Sequence, residues 1–171
     1  HTARTYNQQD VLVTFDADNT HNPKIIPALV KKLSNDKLDI VIASRFARGG
    51  KEIGLSTIRK VYSRGAMLFC KFFFTIPHVW DYSCGYRAYQ VGFLQKLVRA
   101  YGDSLVVSRG FECMVEILAK AGKLGARVGE YPLVLEYNLK EGSSKMNVKK
   151  TILGYVRLAY KVRRPKTGNE V

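Results

Sequence analysis

Asp16 and Asp18 stand one residue apart, directly after Val11, Leu12, Val13 and Phe15, in the stretch V-L-V-T-F-D-A-D-N-T-H. Side chains two residues apart on an extended backbone point the same way, so both carboxylates can approach one hard cation. Acids at the carboxyl end of a strand also lie where open α/β sheets hold their ligands. The chemistry on offer is a divalent ion that lets a phosphate-bearing ligand approach two negative charges. A local reading competes with it. Asn22-Pro23 is a good N-cap and first helical position, and acids ahead of a helix often do no more than cap it.

Further groups that can handle phosphate follow at intervals. Ser44 and Arg45 end the apolar run D-I-V-I-A-S, and an arginine there can pair with phosphate or remain a solvated loop charge. Gly49-Gly50 and Gly54 mark a flexible loop between residues 47 and 55, a candidate lid. D-Y-S-C-G-Y-R-A-Y places Asp81 and Arg87 on either side of a bend at Gly85. N-L-K-E-G-S-S-K-M, residues 138–146, is a basic and hydroxyl-rich turn of the kind that contacts phosphate. Glu112, Glu116 and Lys120 recur at i, i+4 spacing, which reads as a solvated salt-bridge row. Cys70, Cys84 and Cys113 form an odd set without C-x-x-C spacing, which indicates neither a disulfide framework nor a zinc site and fits a reducing compartment.

The elements that must position these groups read as alternating strands and helices. The run from Val11 to Phe15 lacks polar alternation and suits a strand buried on both faces. An amphipathic helix from about residue 25 to 35 and a strand from Asp39 to Ser44 complete a βαβ unit, so Ser44 and Arg45 should emerge beside Asp16 and Asp18. A helix from about 56 to 76 is expected to bury Ile58, Val61, Leu68, Phe69, Phe72 and Phe73, with Lys60, Arg64 and Lys71 opposite, flanked by Met67 and Phe74. That basic and apolar outer side suits a membrane interface, or burial against another part of the protein. Helices near 91–101 and 111–123, a strand over 126–137 and a last helix from 148 to about 164 follow. This last helix stripes Lys150, Arg157, Lys161 and Arg164 opposite Ile152, Val156 and Ala159. The expected division is 1–147 as the main domain and 148–171 as a basic amphipathic helix and tail.

Composition bounds the partners. The 171 residues are 46% hydrophobic and carry 28 Lys plus Arg against 14 Asp plus Glu, a formal charge of +14. Such a balance favours nucleic acid, an anionic membrane surface or phosphorylated substrates. No run of about 18 apolar residues is present to span a bilayer. The chain starts at His1 and soon enters a strand, so it is expected to lack its true beginning.

The D-x-D string resembles two families, the metal-binding motif of nucleotide-sugar glycosyltransferases and the D-x-D-x-T nucleophile motif of haloacid dehalogenase-like phosphatases. In the second, Asp16 would be the nucleophile, Ser44 and Lys51 could serve as its partners, and the one candidate for a later acid is Asp103, alone after a helix. By contrast D-A-D, S-R-F with G-G, R-K-V-Y-S-R-G-A, D-Y-S-C-G-Y-R-A-Y and E-G-S-S-K-M, in that order over about residues 10–163, resemble glycosyltransferase family 2 in its dolichol-phosphate mannosyltransferase-like branch. The resemblance implies an α/β fold of the GT-A type, Rossmann-like with a mostly parallel sheet flanked by helices, of which this chain covers the C-terminal two-thirds. It implies inverting transfer of a hexose from GDP- or UDP-hexose to a polyprenyl phosphate or related acceptor, with Mg²⁺ or Mn²⁺ held by Asp16 and Asp18. Arg45, Arg59 and Ser63 match positions around donor or acceptor phosphates, and Lys140 lies in a basic turn that closes over the site. Asp81 matches an acid near the acceptor; it and Asp18 are the implied catalytic pair. Thr20 stands where many relatives carry a glutamine. The expected setting is cytoplasmic and peripheral at an anionic membrane face. A non-enzyme alternative, a basic module binding nucleic acid through the last helix, leaves Asp16 and Asp18 repelling phosphate unless a metal intervenes.

Overall fold

A computed structural model describes residues 7–108, 110–139 and 148–163. Its main sheet has the order β1-β4-β2-β5, formed by β1 (Val11–Thr14), β4 (Arg87–Gln90), β2 (Ile40–Ser44) and β5 (Val128–Pro132). The sheet is mixed: β1, β2 and β5 run in one direction, β4 runs antiparallel to both β1 and β2, and β2 and β5 pair in parallel. The consequence for the site is favourable. With β4 between them, β1 and β2 still point the same way, so their carboxyl ends share one edge, and the segment entering β4 starts from that edge too.

β2 is buried along its whole length, as its I-V-I-A-S run and its central place require. β1 is an edge strand among the described residues, and Leu12 and Phe15 are each 45% exposed rather than buried on both faces. After β1, Asn22 accepts from the Lys24 N–H at 3.0 Å and Pro23 opens a short 3-10 turn. The cap ahead of α1 (Ile26–Asn35) is therefore Asn22, and the two aspartates are spared that duty.

The loop after β2 is not irregular throughout. It contains β3 (Lys51–Ile53), which pairs in parallel with β6 (Val134–Glu136) in a second, two-stranded sheet. The strand expected over 126–137 accordingly splits at Leu133, whose N–H donates to Ser44 O while its carbonyl accepts from Lys51 N, both at 2.9 Å. α2 (Thr57–Phe74) turns a different face inward than expected. Cys70 is buried and Ala66, Phe69 and Phe74 pack on the core, while Ile58, Val61, Tyr62, Leu68 and Phe72 form an outward stripe in which Phe72 is 71% exposed. Lys71 does not join an outer basic face. Its ammonium donates to the carbonyls of Val79 (2.9 Å) and Ile76 (3.3 Å) and lies 4.7 Å from the Trp80 ring centre, tying the helix end to the loop that follows.

α3 (Val91–Tyr101) packs on β4, and α5 (Val148–Arg163) packs on α2 and on α4 (Cys113–Lys123). Tyr155 and Leu158 of α5 belong to the same core cluster as Ile40, Val79 and Leu118. Glu116 is 3% exposed, not part of a solvated row. It accepts from the Val107 and Ser108 N–H groups and from Lys120, so it ties the loop before α4 to that helix. Burial alone would raise its carboxyl's pKa, but Lys120 and Ser108 hold it below the usual value.

Candidate active site

The end of β2 and the segment before β4 meet in a buried ion pair. Arg45 Nε donates to Asp81 Oδ2 and Nη2 to Oδ1, both at 2.7 Å, and the Arg45 backbone N–H adds a third bond to Oδ2 at 3.1 Å. Asp81 is 0% exposed, and its Oδ1 also accepts from Cys84 N and Ser83 Oγ. A carboxylate offers about four lone-pair positions, and these five donors fill them. Burial by itself would push this carboxyl up, but the Arg45 charge and the hydrogen bonds hold it below the usual carboxylate range. Burial likewise opposes the charged form of Arg45, and Asp81 reverses that, holding its pKa well above the ordinary value. As placed, Asp81 is a counter-ion that orients Arg45, and it does not present a basic oxygen to a substrate.

Two acids that did not stand out in the sequence complete this centre. Glu130 of β5 accepts from the Trp80 N–H at 2.7 Å and the Asp81 N–H at 2.6 Å, fixing the turn that presents Asp81. Burial pushes its pKa up, against those same bonds. Glu52 of β3 accepts at Oε1 from Arg45 Nη1 (3.2 Å) and from Ser63 Oγ (3.1 Å). Ser63 is thus brought to Arg45, with Nη1 at 3.5 Å from its oxygen. Arg59, one turn earlier on α2, is exposed. Lys140 and residues 141–146 of its turn lie outside the described residues.

Arg87, read from the sequence only as the far side of a bend, is wholly buried in β4. Its guanidinium donates to the carbonyls of Tyr82, Cys84 and Met114 at 2.7–2.8 Å, so it braces the 81–85 turn from below and ties it to α4. Cys84 inside that turn is buried, and its thiol is pushed up to about 12 by loss of solvent, which leaves it an inert packing group.

The acidic pair lies on the neighbouring strand end. β1 stops at Thr14, whose hydroxyl donates to Gly85 O at 2.7 Å, so Asp16 and Asp18 sit in the bend that follows rather than on continuing strand. Asn19 takes a left-handed φ of 64° and turns the chain back, allowing the Thr20 hydroxyl (2.6 Å) and N–H (3.3 Å) to donate to Asp18 Oδ1. Thr20 therefore orients Asp18. Asp16 is exposed, and its Oδ1 would lie 3.6 Å from a methyl group added at Gly85, which puts it against the turn that begins at Asp81.

His21 links the two halves and was not distinguished in the sequence from a residue before a helix cap. It is buried, its Nδ1 accepts the Asp16 N–H at 3.1 Å, and its ring packs on Tyr86. Burial lowers its pKa, Asp16 and Asp18 pull it back up, and Arg45 lowers it again. With Nδ1 accepting and the pKa depressed, the imidazole is neutral with its proton on Nε2.

Among the described residues no group of three or more His, Cys, Asp or Glu side chains gathers to hold a metal by itself. Two carboxylates nevertheless suit a hard ion such as Mg²⁺, which takes one or two of them and completes its shell with water and substrate phosphate. The site thus sets a pair of acids, fit for such an ion, near a buried arginine with a serine hydroxyl beside it.

Comparison with known proteins gives the family. The family model described as "Glycosyl transferase family 2" matches residues 3–98. Undecaprenyl-phosphate mannosyltransferase of Micrococcus luteus is 34% identical over 139 residues, 81% of this chain and 54% of that protein. Dolichol-phosphate mannosyltransferase of Pyrococcus furiosus is 32% identical over 90% of this chain and 40% of its own length. A UDP-N-acetylglucosamine–dolichyl-phosphate N-acetylglucosaminyltransferase of Methanococcus voltae is 29% identical over 80% of this chain and 53% of its own. The chain spans about half the length of these curated relatives or less. The mixed α/β sheet is consistent with part of a GT-A fold, and the chain belongs to glycosyl transferase family 2.

Proposed function

We propose that this chain carries the catalytic centre of a glycosyltransferase that moves a hexose from GDP- or UDP-hexose to a polyprenyl phosphate at a membrane surface. The observation that carries it is the pairing at one sheet edge: Asp16 and Asp18 lie in the bend after β1, and Arg45, with Ser63 at its guanidinium, directly follows β2. One half suits a cation and the other a phosphate. Asp16 and Asp18 would hold Mg²⁺ or Mn²⁺, which would neutralise the diphosphate as it leaves. Thr20 sets the Asp18 carboxylate, and Asp81 and Glu130 set Arg45.

A phosphate monoester with a second pKa near 6 is already largely ionised at neutral pH. One of its oxygens can attack the anomeric carbon while the bond to the diphosphate breaks, without a protein group removing a proton. This accords with an Asp81 whose oxygens are all engaged. In this reading Arg45, Ser63 and the exposed Arg59 receive that phosphate, with Lys140 a further candidate. The named relatives act on polyprenyl or dolichyl phosphates, which supports this acceptor class.

The membrane surface is assigned to two outward stripes. α2 exposes Ile58, Val61, Leu68 and Phe72 beside Arg59 and Arg64; α5 exposes Ile152, Leu153, Val156 and Tyr160 beside Arg157. Apolar side chains flanked by arginines suit the headgroup region of an anionic, cytoplasm-facing leaflet. No helix among the described residues is long and apolar enough to cross a membrane. The test is binding of GDP and UDP to the wild type and to Asp18→Asn, with and without Mg²⁺. The proposal predicts a loss on substitution only when metal is present; equal weakening in excess chelator removes the metal from the account.

A further inference from the structure

Glu52 makes a contact that the transfer reaction does not use. Its Oε1 lies between Arg45 Nη1 and Ser63 Oγ, at 3.2 and 3.1 Å, so an internal carboxylate occupies the place between the two groups assigned to the incoming phosphate. We propose that Glu52 is a built-in stand-in for the acceptor phosphate, which the phosphate must displace, and that it sets how tightly and how selectively the site takes anions. This rests on the assignment of the acceptor phosphate to Arg45 and Ser63.

The two carboxylates on Arg45 differ in kind. Asp81, itself fully buried, binds through two parallel bonds of 2.7 Å and a backbone bond, from a turn braced by Arg87 and Glu130. Glu52 makes one longer bond end-on to the guanidinium, from a three-residue strand in the small β3–β6 sheet. That strand lies between glycines suited to a bend on each side. Gly49 and Gly54 have φ values of 96° and 75°, and a side chain at Gly50 would collide with the Ser44 and Arg45 carbonyls. Asp81 is thus the permanent partner and Glu52 the exchangeable one.

Charge makes the exchange obligatory. A phosphate dianion entering beside an ionised Glu52 meets a like charge in a poorly solvated place, where repulsion is strong. Once Glu52 swings away, the phosphate inherits Arg45 Nη1 and Ser63 Oγ. In the empty site Glu52 keeps Arg45 from carrying a buried donor without a partner. A weakly charged or neutral acceptor head lacks the two negative charges needed to compete, so the same carboxylate discriminates in favour of dianions.

Calorimetric titration with geranyl phosphate tests this on wild type, Glu52→Gln, Glu52→Ala and Ser63→Ala. The expected result is that both Glu52 variants bind geranyl phosphate roughly tenfold tighter, a factor equivalent to losing one charge-assisted bond of about 1.4 kcal/mol, while Ser63→Ala binds more weakly. General structural damage does not produce a gain of affinity, and the alanine variant guards against glutamine keeping the same place. Unchanged or weaker binding by both Glu52 variants, with Ser63→Ala still impaired, overturns the stand-in and leaves the acceptor site intact. Binding indifferent to Ser63, or no binding by any of the proteins, overturns the acceptor site and Glu52's role with it.

Discussion

Arg45 and Asp81, 36 residues apart in sequence, meet through two parallel 2.7 Å hydrogen bonds with the carboxylate wholly out of solvent. A pair of this kind is costly to break from one side, because the surviving charge stays buried without its partner. The pair makes Asp81 a positioning residue in the strict sense: its contact is with Arg45, the residue proposed to take the phosphate.

Asp81→Asn should therefore destabilise the fold by about 3–5 kcal/mol, seen as a lower midpoint in urea denaturation. The double variant Asp81→Asn with Arg45→Met should recover part of that loss. A stable Asp81→Asn protein that has lost only turnover points instead to a proton-transfer role for this acid.

His21 supplies a pH dependence. Its folded pKa lies below 6.5, so the unfolded chain takes up the proton first as pH falls. Stability from this group is complete above about pH 6.5 and declines as the pH drops toward the folded value. Glu130, with a raised pKa, works in the opposite direction, and Asp81, with a lowered one, loses its contribution only in more acidic solution. The informative comparison is therefore wild type against His21→Gln: between pH 7 and 5 the variant should show the flatter loss of thermal stability. Parallel profiles show that His21 is not the group responsible.

Membrane association should separate α2 into two functions. Leu68→Ser with Phe72→Ser, both on the outward stripe, should weaken sedimentation with anionic vesicles at least tenfold while leaving the fold intact, given about 1.5–3 kcal/mol for burying one large apolar side chain. Lys71→Met should do the reverse, costing roughly 1–2 kcal/mol of stability through its two lost carbonyl bonds and leaving vesicle binding unchanged. Vesicle binding that depends on Lys71 and not on Phe72 reverses the assignment.

The parts legible in the sequence were those with one dominant signal. β2 is a run of apolar residues at the sheet centre, and Asn22-Pro23 starts the next element as its chemistry requires. β4 was not legible, because a strand centred on a buried arginine looks like a turn until the carbonyls of Tyr82, Cys84 and Met114 are seen to receive it. Glu116 and Lys71 misled for a common reason: spacing shows which residues share a helix face, but not whether that face meets water or the backbone carbonyls and N–H groups of a neighbouring loop. Asp16, Asp18 and Arg45 could be placed together from chain order alone. Glu52 and Glu130 could not, since their roles depend on a small second sheet and on the register of β5 against β2.

The proposed transfer delivers the sugar to a lipid phosphate and not to an alcohol. Its most direct test is to incubate the protein with Mg²⁺, radiolabelled GDP- or UDP-hexose, and either phytanyl phosphate or phytanol, and to count label in the organic phase. Labelled lipid is expected with phytanyl phosphate only, abolished by Asp18→Asn and by chelator. Equal labelling of phytanol, or release of inorganic phosphate from the lipid through a covalent intermediate at Asp16, contradicts it.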